Sequence, residues 1–290
     1  MWSSESPSRG TTQAAAALAV ALACALLPTA AGAAATSARR EPRAGSPRFR
    51  SSPVARATAA GNVRHAPLSF APSVQAMIVG RGERTIWPAR TITAAATSLD
   101  VGGRSCAVAS ATPLAVLAAV RSAGGPGFSI RDYGHCGSSQ SSSAELFVYS
   151  LAGQSNSGQS GWEYKVGGAA GSTGAGDPSG PSGDGQRLRA GERVLWFWCE
   201  ARGGGCQRTL EVSAERTTHG RAFTATVYGY DNEGRGAPVA GALVSIGASH
   251  ALTGSHGRAT LRAPGRPGRS QLSATRAGMV PSFPVTLAVG

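Results

Sequence analysis

The residues able to do chemistry are few and scattered. The five histidines, His65, His135, His219, His250 and His256, form neither an H-x-x-x-H nor an H-E-x-x-H pair, so the two-histidine helical zinc motif is missing. A nucleophile elbow needs G-x-S-x-G at a strand-to-helix turn. The near misses at 153–157 and 158–161 have no helical pattern after them. Asp100, Asp132, Glu145, Glu163 and Glu192 fall at spacings that suggest no acid/base pair. Asp177 and Asp184 lie in "DPSGPSGDG" without the alternating oxygen ligands of a calcium loop. The sequence therefore reads as non-catalytic, with no cofactor and no metal.

Cysteine carries the clearest chemistry. Cys106, Cys136, Cys199 and Cys206 follow the apolar N-terminal stretch that holds Cys24. Four cysteines in an exported chain read as two disulfides, with three possible pairings. Proximity favours Cys199 with Cys206 across "CEARGGGC" and leaves Cys106 with Cys136. Without a C-x-x-C pair, and with only His135 nearby, zinc is the weaker reading.

Two further side chains stand out by contrast. In "SGWEYKVGG", Trp162 and Tyr164 sit between "GQSNSGQ" and a run of mainly Gly, Ala, Ser and Pro. Period-two alternation puts Trp162, Tyr164 and Val166 on one face of a half-buried strand, and Glu163 and Lys165 on the other. Trp162, Tyr164 and Lys165 are the candidate ligand-binding residues, because a glycine-rich loop, 168–185, follows them and loops beside aromatic rings often form binding sites. The competing expectation is that both rings are core, packed on a helix face of Leu114, Leu117 and Val120.

The elements that must position these residues can be read in order. Residues 1–34 read as an export signal: an apolar stretch too short to span a bilayer comfortably, then Ala31-Gly32-Ala33 as an A-x-A cleavage site. A lipid anchor on Cys24 is less well supported, since Ala21 stands where a lipobox prefers Leu. No later apolar stretch is long enough to hold the product in a membrane. Residues 35–72, rich in Arg, Pro and Ser, read as a disordered linker. The net charge of +13 comes almost wholly from dispersed arginine, as Lys165 is the chain's one lysine. With no aromatic interleaving for base stacking, this charge implies no specific nucleic-acid partner. The expected localisation is secreted or cell envelope, with an unknown soluble ligand or an envelope component as partner.

From residue 73 the pattern is strand-rich. "VQAMIVG" and "ARTITAA" read as strands, and Gly102-Gly103 as a turn. Thr112 caps a short helix opened by Pro113 and closed by Gly124-Gly125. "GFSIRDYG", "AELFVYSLAG", "GWEYKVGG" and "RVLWFWCE" are further strands. The last is apolar on both faces, as a central covered strand must be. The stretch 168–185 holds no large side chain, which predicts a loop that does not pack. After about residue 207, short strands alternate with Gly/Pro/Asn turns, as in a small antiparallel sandwich.

Two resemblances join these elements. The pattern "TPLAVLAAV … GFSIRDYG … GWEYKVGG … LRAGERVLWFW" resembles the transcobalamin-like C-terminal domain family over about 74–200. Thr112 to Val120 match its helix. Gly161, Trp162, Tyr164 and Val166 match its second motif, and Leu188, Gly191, Glu192, Val194, Trp196 and Trp198 its last strand. Gly167 replaces the family's usual Asn, and Glu192 its usual Asp. The resemblance implies a β-grasp-like fold that binds a soluble ligand. Pro238, Val239, Gly241, Ala242 and Val244, with Thr253, Gly257, Ala259 and Leu261, resemble bacterial extracellular Ig-like and carboxypeptidase-regulatory-like modules. These are usually spacers or adhesion units. The expected fold class is mainly β: an α+β β-grasp-like domain with one short helix at 73–207, followed by an Ig-like antiparallel β-sandwich at 208–290. The expected function is non-catalytic binding of a soluble small molecule, with a purely structural or adhesive surface role as the alternative and an extracellular hydrolase as the third reading.

Overall fold

The computed structural model describes residues 71–290 apart from Arg202 and Gly204. The expected export signal and nearly all of the linker lie outside the described residues. In chain order the strands begin with β1 (Ser73–Val79), β2 (Thr85–Thr93), β3 (Thr97–Val101) and β4 (Arg104–Val108). Helix α1 (Pro113–Ser122) precedes β5 (Phe128–Asp132), β6 (Leu146–Leu151), β7 (Gln154–Ser155), β8 (Gly161–Val166), β9 (Ala169–Ala170) and β10 (Arg193–Cys199). Next come β11 (Thr209–Ala214), β12 (Ala222–Tyr230), β13 (Gly236–Pro238) and β14 (Leu243–Ile246). The chain ends with β15 (Ser249–Leu252), β16 (Arg258–Arg262), β17 (Gly268–Thr275) and β18 (Val285–Val289).

The central sheet runs β2-β1-β10-β8-β9. β1 and β10 are parallel neighbours in its middle, and every other pairing in it is antiparallel. A parallel pair needs a long crossover, and here the crossover carries α1. This is the expected β-grasp-like arrangement. Pro88 lies in β2, an edge strand, where its missing N–H costs no ladder bond.

The helix forms for the reasons its sequence gives. The Thr112 hydroxyl accepts from the Ala115 amide at 3.2 Å, and Pro113 fills the first turn. Leu114, Val116, Leu117 and Val120 are all buried, so α1 is covered on most of its circumference. The β3–β4 hairpin turns at Gly102 and Gly103, both with positive φ. Both disulfides pair as expected, Cys106 with Cys136 and Cys199 with Cys206.

Period-two alternation sorts the central sheet into two cores. Val74, Ala76, Ile78, Val194, Trp196 and Trp198 face the core around α1. Met77, Val79, Leu195, Phe197 and Cys199 face the other way, onto Val280 and Phe283. The "LWFWC" run is apolar on both sides because both sides are covered.

Residues 208–290 make the antiparallel sandwich. One sheet runs β11-β12-β13, with β16 also on β12. The other runs β15-β14-β17-β18. Leu210, Val212, Val227, Val244, Ile246 and Leu272 fill the space between them. β15 pairs with β14 in a hairpin that the sequence did not announce, since "SHAL" lacks a strong alternation. The described residues belong to one compact unit.

Candidate functional site

The strand carrying the candidate residues is held on both faces. Trp162 stands edge-on to Trp198, with ring centroids 5.8 Å apart. Tyr164 packs against Trp196 at 5.5 Å. The Trp162 indole N–H donates to the Gln154 carbonyl at 2.7 Å, and its backbone amide to Asn156 Oδ1 at 2.9 Å. The Tyr164 hydroxyl donates to the Thr173 carbonyl at 2.9 Å. Burial pushes the Tyr164 phenol above its usual pKa. Trp162 and Tyr164 are 4% and 6% exposed. Both rings are core, so no ring edge is left for a ligand.

The glycine-rich loop closes over them. Its first residues, β9, pair with β8. Ala175 is buried, and its carbonyl accepts from the Leu114 amide at 2.8 Å, at the start of α1. A methyl group at Gly171 would lie 2.0 Å from the Tyr164 ring carbon Cζ, and one at Gly174 would lie 2.0 Å from the Ala144 carbonyl oxygen. The loop therefore packs through its backbone, and it needs glycine for that close approach. The expectation that it would not pack is corrected: lack of large side chains signalled contact, not freedom. Asp177 and Asp184 serve local turns within it. Asp177 accepts from the Ser179 amide and hydroxyl, and Asp184 from the Gln186 amide and side chain.

Lys165 departs most from the sequence reading. It was expected on a solvent face with Glu163, and it is 0% exposed. The sandwich covers that end of the sheet. Its ammonium donates to Thr209 Oγ1 at 3.2 Å, to the Tyr230 carbonyl at 3.1 Å and to the Asp231 carbonyl at 2.6 Å. All three acceptors belong to the region expected as the second domain. The adjacent Ala170 amide donates to the Asn232 carbonyl at 2.9 Å. Burial lowers the Lys165 pKa to about 8, although Asp231 and Glu233 favour its charged form. Alternation within β8 gave no sign of this role. Lys165 is the chain's one lysine, and its ammonium brings three donors to one point where a guanidinium would present a planar fork.

The other candidate chemistry stays dispersed. Among the described residues, no group of three or more His, Cys, Asp or Glu side chains is placed to hold a metal ion. Asp132 binds structure: its carboxylate accepts from the Gly134 and Cys136 amides and pairs with Arg104 at 2.7 Å. His219 meets the Gly290 carbonyl at the far end of the sandwich.

No family model matches the sequence, and neither does any curated protein. Among solved structures, the chain is similar to the D00-D0 domain of Intimin. That match has 19% identity and a TM-score of 0.21, over 59% of this chain and 81% of that one. The family comparison thus gives the transcobalamin-like resemblance no support, and the β-grasp-like description rests on strand order and the parallel central pair. Among the described residues, no helix is long and apolar enough to cross a membrane.

Proposed function

We propose that the protein is an exported, non-catalytic structural or adhesive module of the cell envelope or extracellular space. In this reading 73–207 and 208–290 are two domains locked into one rigid unit. The observation that carries it is Lys165: a fully buried cation whose three acceptors all lie across the junction. A flexible pair of domains would leave such a cation hydrated. The Val280 and Phe283 contact with the back of the central sheet adds an apolar seam. Two disulfides suit an oxidising compartment. The buried Trp162 and Tyr164 offer a soluble ligand no access, which favours the structural reading over small-molecule binding.

Two measurements test this. Calorimetry on the mature chain is expected to give one cooperative unfolding transition, with both halves protected together from limited proteolysis. Two separated transitions would reject the rigid unit. Fractionation of producing cells is expected to find the protein outside the cytoplasm, and an intact cytoplasmic product would reject export.

A further inference from the structure

The β11–β12 hairpin has two ends with different surroundings. At one end Thr209 pairs with Tyr230, beside Lys165. At the other, five residues or about 17 Å away, Ala214 pairs with Ala225. Next to that far end lies a groove of about 770 Å3.

The groove's composition follows from register. Val212, Ala225 and Val227 point into the sandwich core, so the alternate residues point outward. Ser213 pairs with Thr226, and Thr226 pairs with Arg258 on its other side, which makes one row across three strands. Arg216 and Arg221 come from the connection between β11 and β12 and line the same space. Three guanidinium groups thus meet a hydroxyl row, opposed in the lining by Glu215 alone. None of the three joins an ion pair among the described residues, where Arg104 and Arg235 are the arginines so engaged.

We propose that this groove binds an acidic polysaccharide, with Arg216, Arg221 and Arg258 holding its carboxylates and the Ser213–Thr226 row meeting its hydroxyls. The guanidinium fork matches a carboxylate in two parallel hydrogen bonds. The hydroxyls both donate and accept, as sugar hydroxyls require. A nucleic acid fits less well. Binding single strands needs rings on which bases stack, and the one ring in the lining, Phe223, packs against the sandwich core. The groove lies away from the Lys165 junction, so a ligand there does not disturb it. This proposal goes beyond the structural reading, because a rigid unit could exist with an empty groove.

The test uses the full mature chain and polygalacturonate as probe, with neutral dextran and duplex DNA as comparisons. Binding to polygalacturonate, none to dextran and weaker binding to DNA are expected. A triple variant, Arg216→Ala with Arg221→Ala and Arg258→Ala, is expected to lose roughly tenfold or more in affinity, since three charge-assisted contacts go. A control triple, Arg84→Ala with Arg121→Ala and Arg189→Ala, removes the same charge from exposed sites elsewhere and is expected to change affinity little. Equal loss in the two triples, no binding, or tighter binding to DNA would overturn the proposal. Thermal melting accompanies each variant. Unchanged melting with lost binding supports the groove, and unchanged melting with unchanged binding rejects it. If the triple variant melts early, the single Thr226→Val change on the groove floor is read instead, and full affinity in that variant rejects the hydroxyl row.

Discussion

The Lys165 ammonium donates to the Asp231 carbonyl oxygen across 2.6 Å, joining β8 of the central sheet to the end of β12 in the sandwich. Backbone carbonyls cannot be tuned by substitution, so the lysine is the adjustable partner. Lys165→Ala removes three donors at once and leaves the Tyr230 and Asp231 carbonyls facing a void. The expected loss is on the order of 2–3 kcal/mol, the usual cost of removing hydrogen bonds from a charged group in a buried site. Urea unfolding followed by tryptophan fluorescence measures it, and a variant as stable as the parent would show that water replaces the ammonium without cost.

The same lysine gives the molecule a pH signature. Burial lowers its pKa in the folded chain to about 8, from the ordinary 10.5. Between these values the unfolded chain holds the proton and the folded chain has released it. Stability therefore rises with pH, because the unfolded state binds more protons. Below about 8 both states are protonated and the burial penalty is fully present. The complete relief would be on the order of 3 kcal/mol, reached only above the unfolded pKa. Burial also raises the Tyr164 and Tyr230 pKa values, which acts the other way near pH 10. The expected window is thus about pH 8 to 10. Chemical denaturation across that window should show rising stability in the parent and a flat profile in Lys165→Met.

Legibility followed local chemistry. The Thr112 cap, Pro113 at the first turn and the Gly102-Gly103 hairpin are short-range devices, and each formed where its residues sit. The double-sided burial of β10 was legible because one strand carries large apolar residues on both faces. The fate of Lys165 was not, because alternation within β8 cannot reveal what lies above its second face. That cover comes from residues 44 to 66 positions later in the chain. The glycine-rich loop misled for a related reason. Glycine reads as freedom in a sequence, but here it permits backbone to lie directly on Tyr164. The groove beside Arg258 was illegible because cross-strand register, not sequence spacing, joins Ser213, Thr226 and Arg258.

Gly171→Ala tests whether the loop is packed. The added methyl would lie 2.0 Å from the Tyr164 Cζ, and the ring cannot move without breaking its bond to the Thr173 carbonyl. A loss of about 1–3 kcal/mol is expected, as for other overpacked cores, together with a changed near-ultraviolet circular dichroism signal from the Tyr164–Trp196 pair. Gly127→Ala meets no atom within 4 Å and should leave both readouts unchanged. A neutral Gly171→Ala would mean the loop yields easily.

The two disulfides should contribute unequally. Cys106–Cys136 spans 30 residues and Cys199–Cys206 spans 7. Loop-closure entropy therefore favours the first, at about 3.7 kcal/mol against about 2.5 kcal/mol for the second. Position widens the difference. Cys106 is fully buried in the core around α1, and its partner lies beside the Asp132 carboxylate, which accepts from the Cys136 amide and pairs with Arg104. Cys106→Ala with Cys136→Ala thus removes a covalent tie and thins a core. Cys199→Ala with Cys206→Ala removes the shorter tie at the end of β10 and trims the second core at Cys199, where its partner Cys206 is only half-buried. The expected order of melting temperatures is parent, then the 199/206 variant, then the 106/136 variant. The reverse order of the two variants would place the main covalent support at the junction instead.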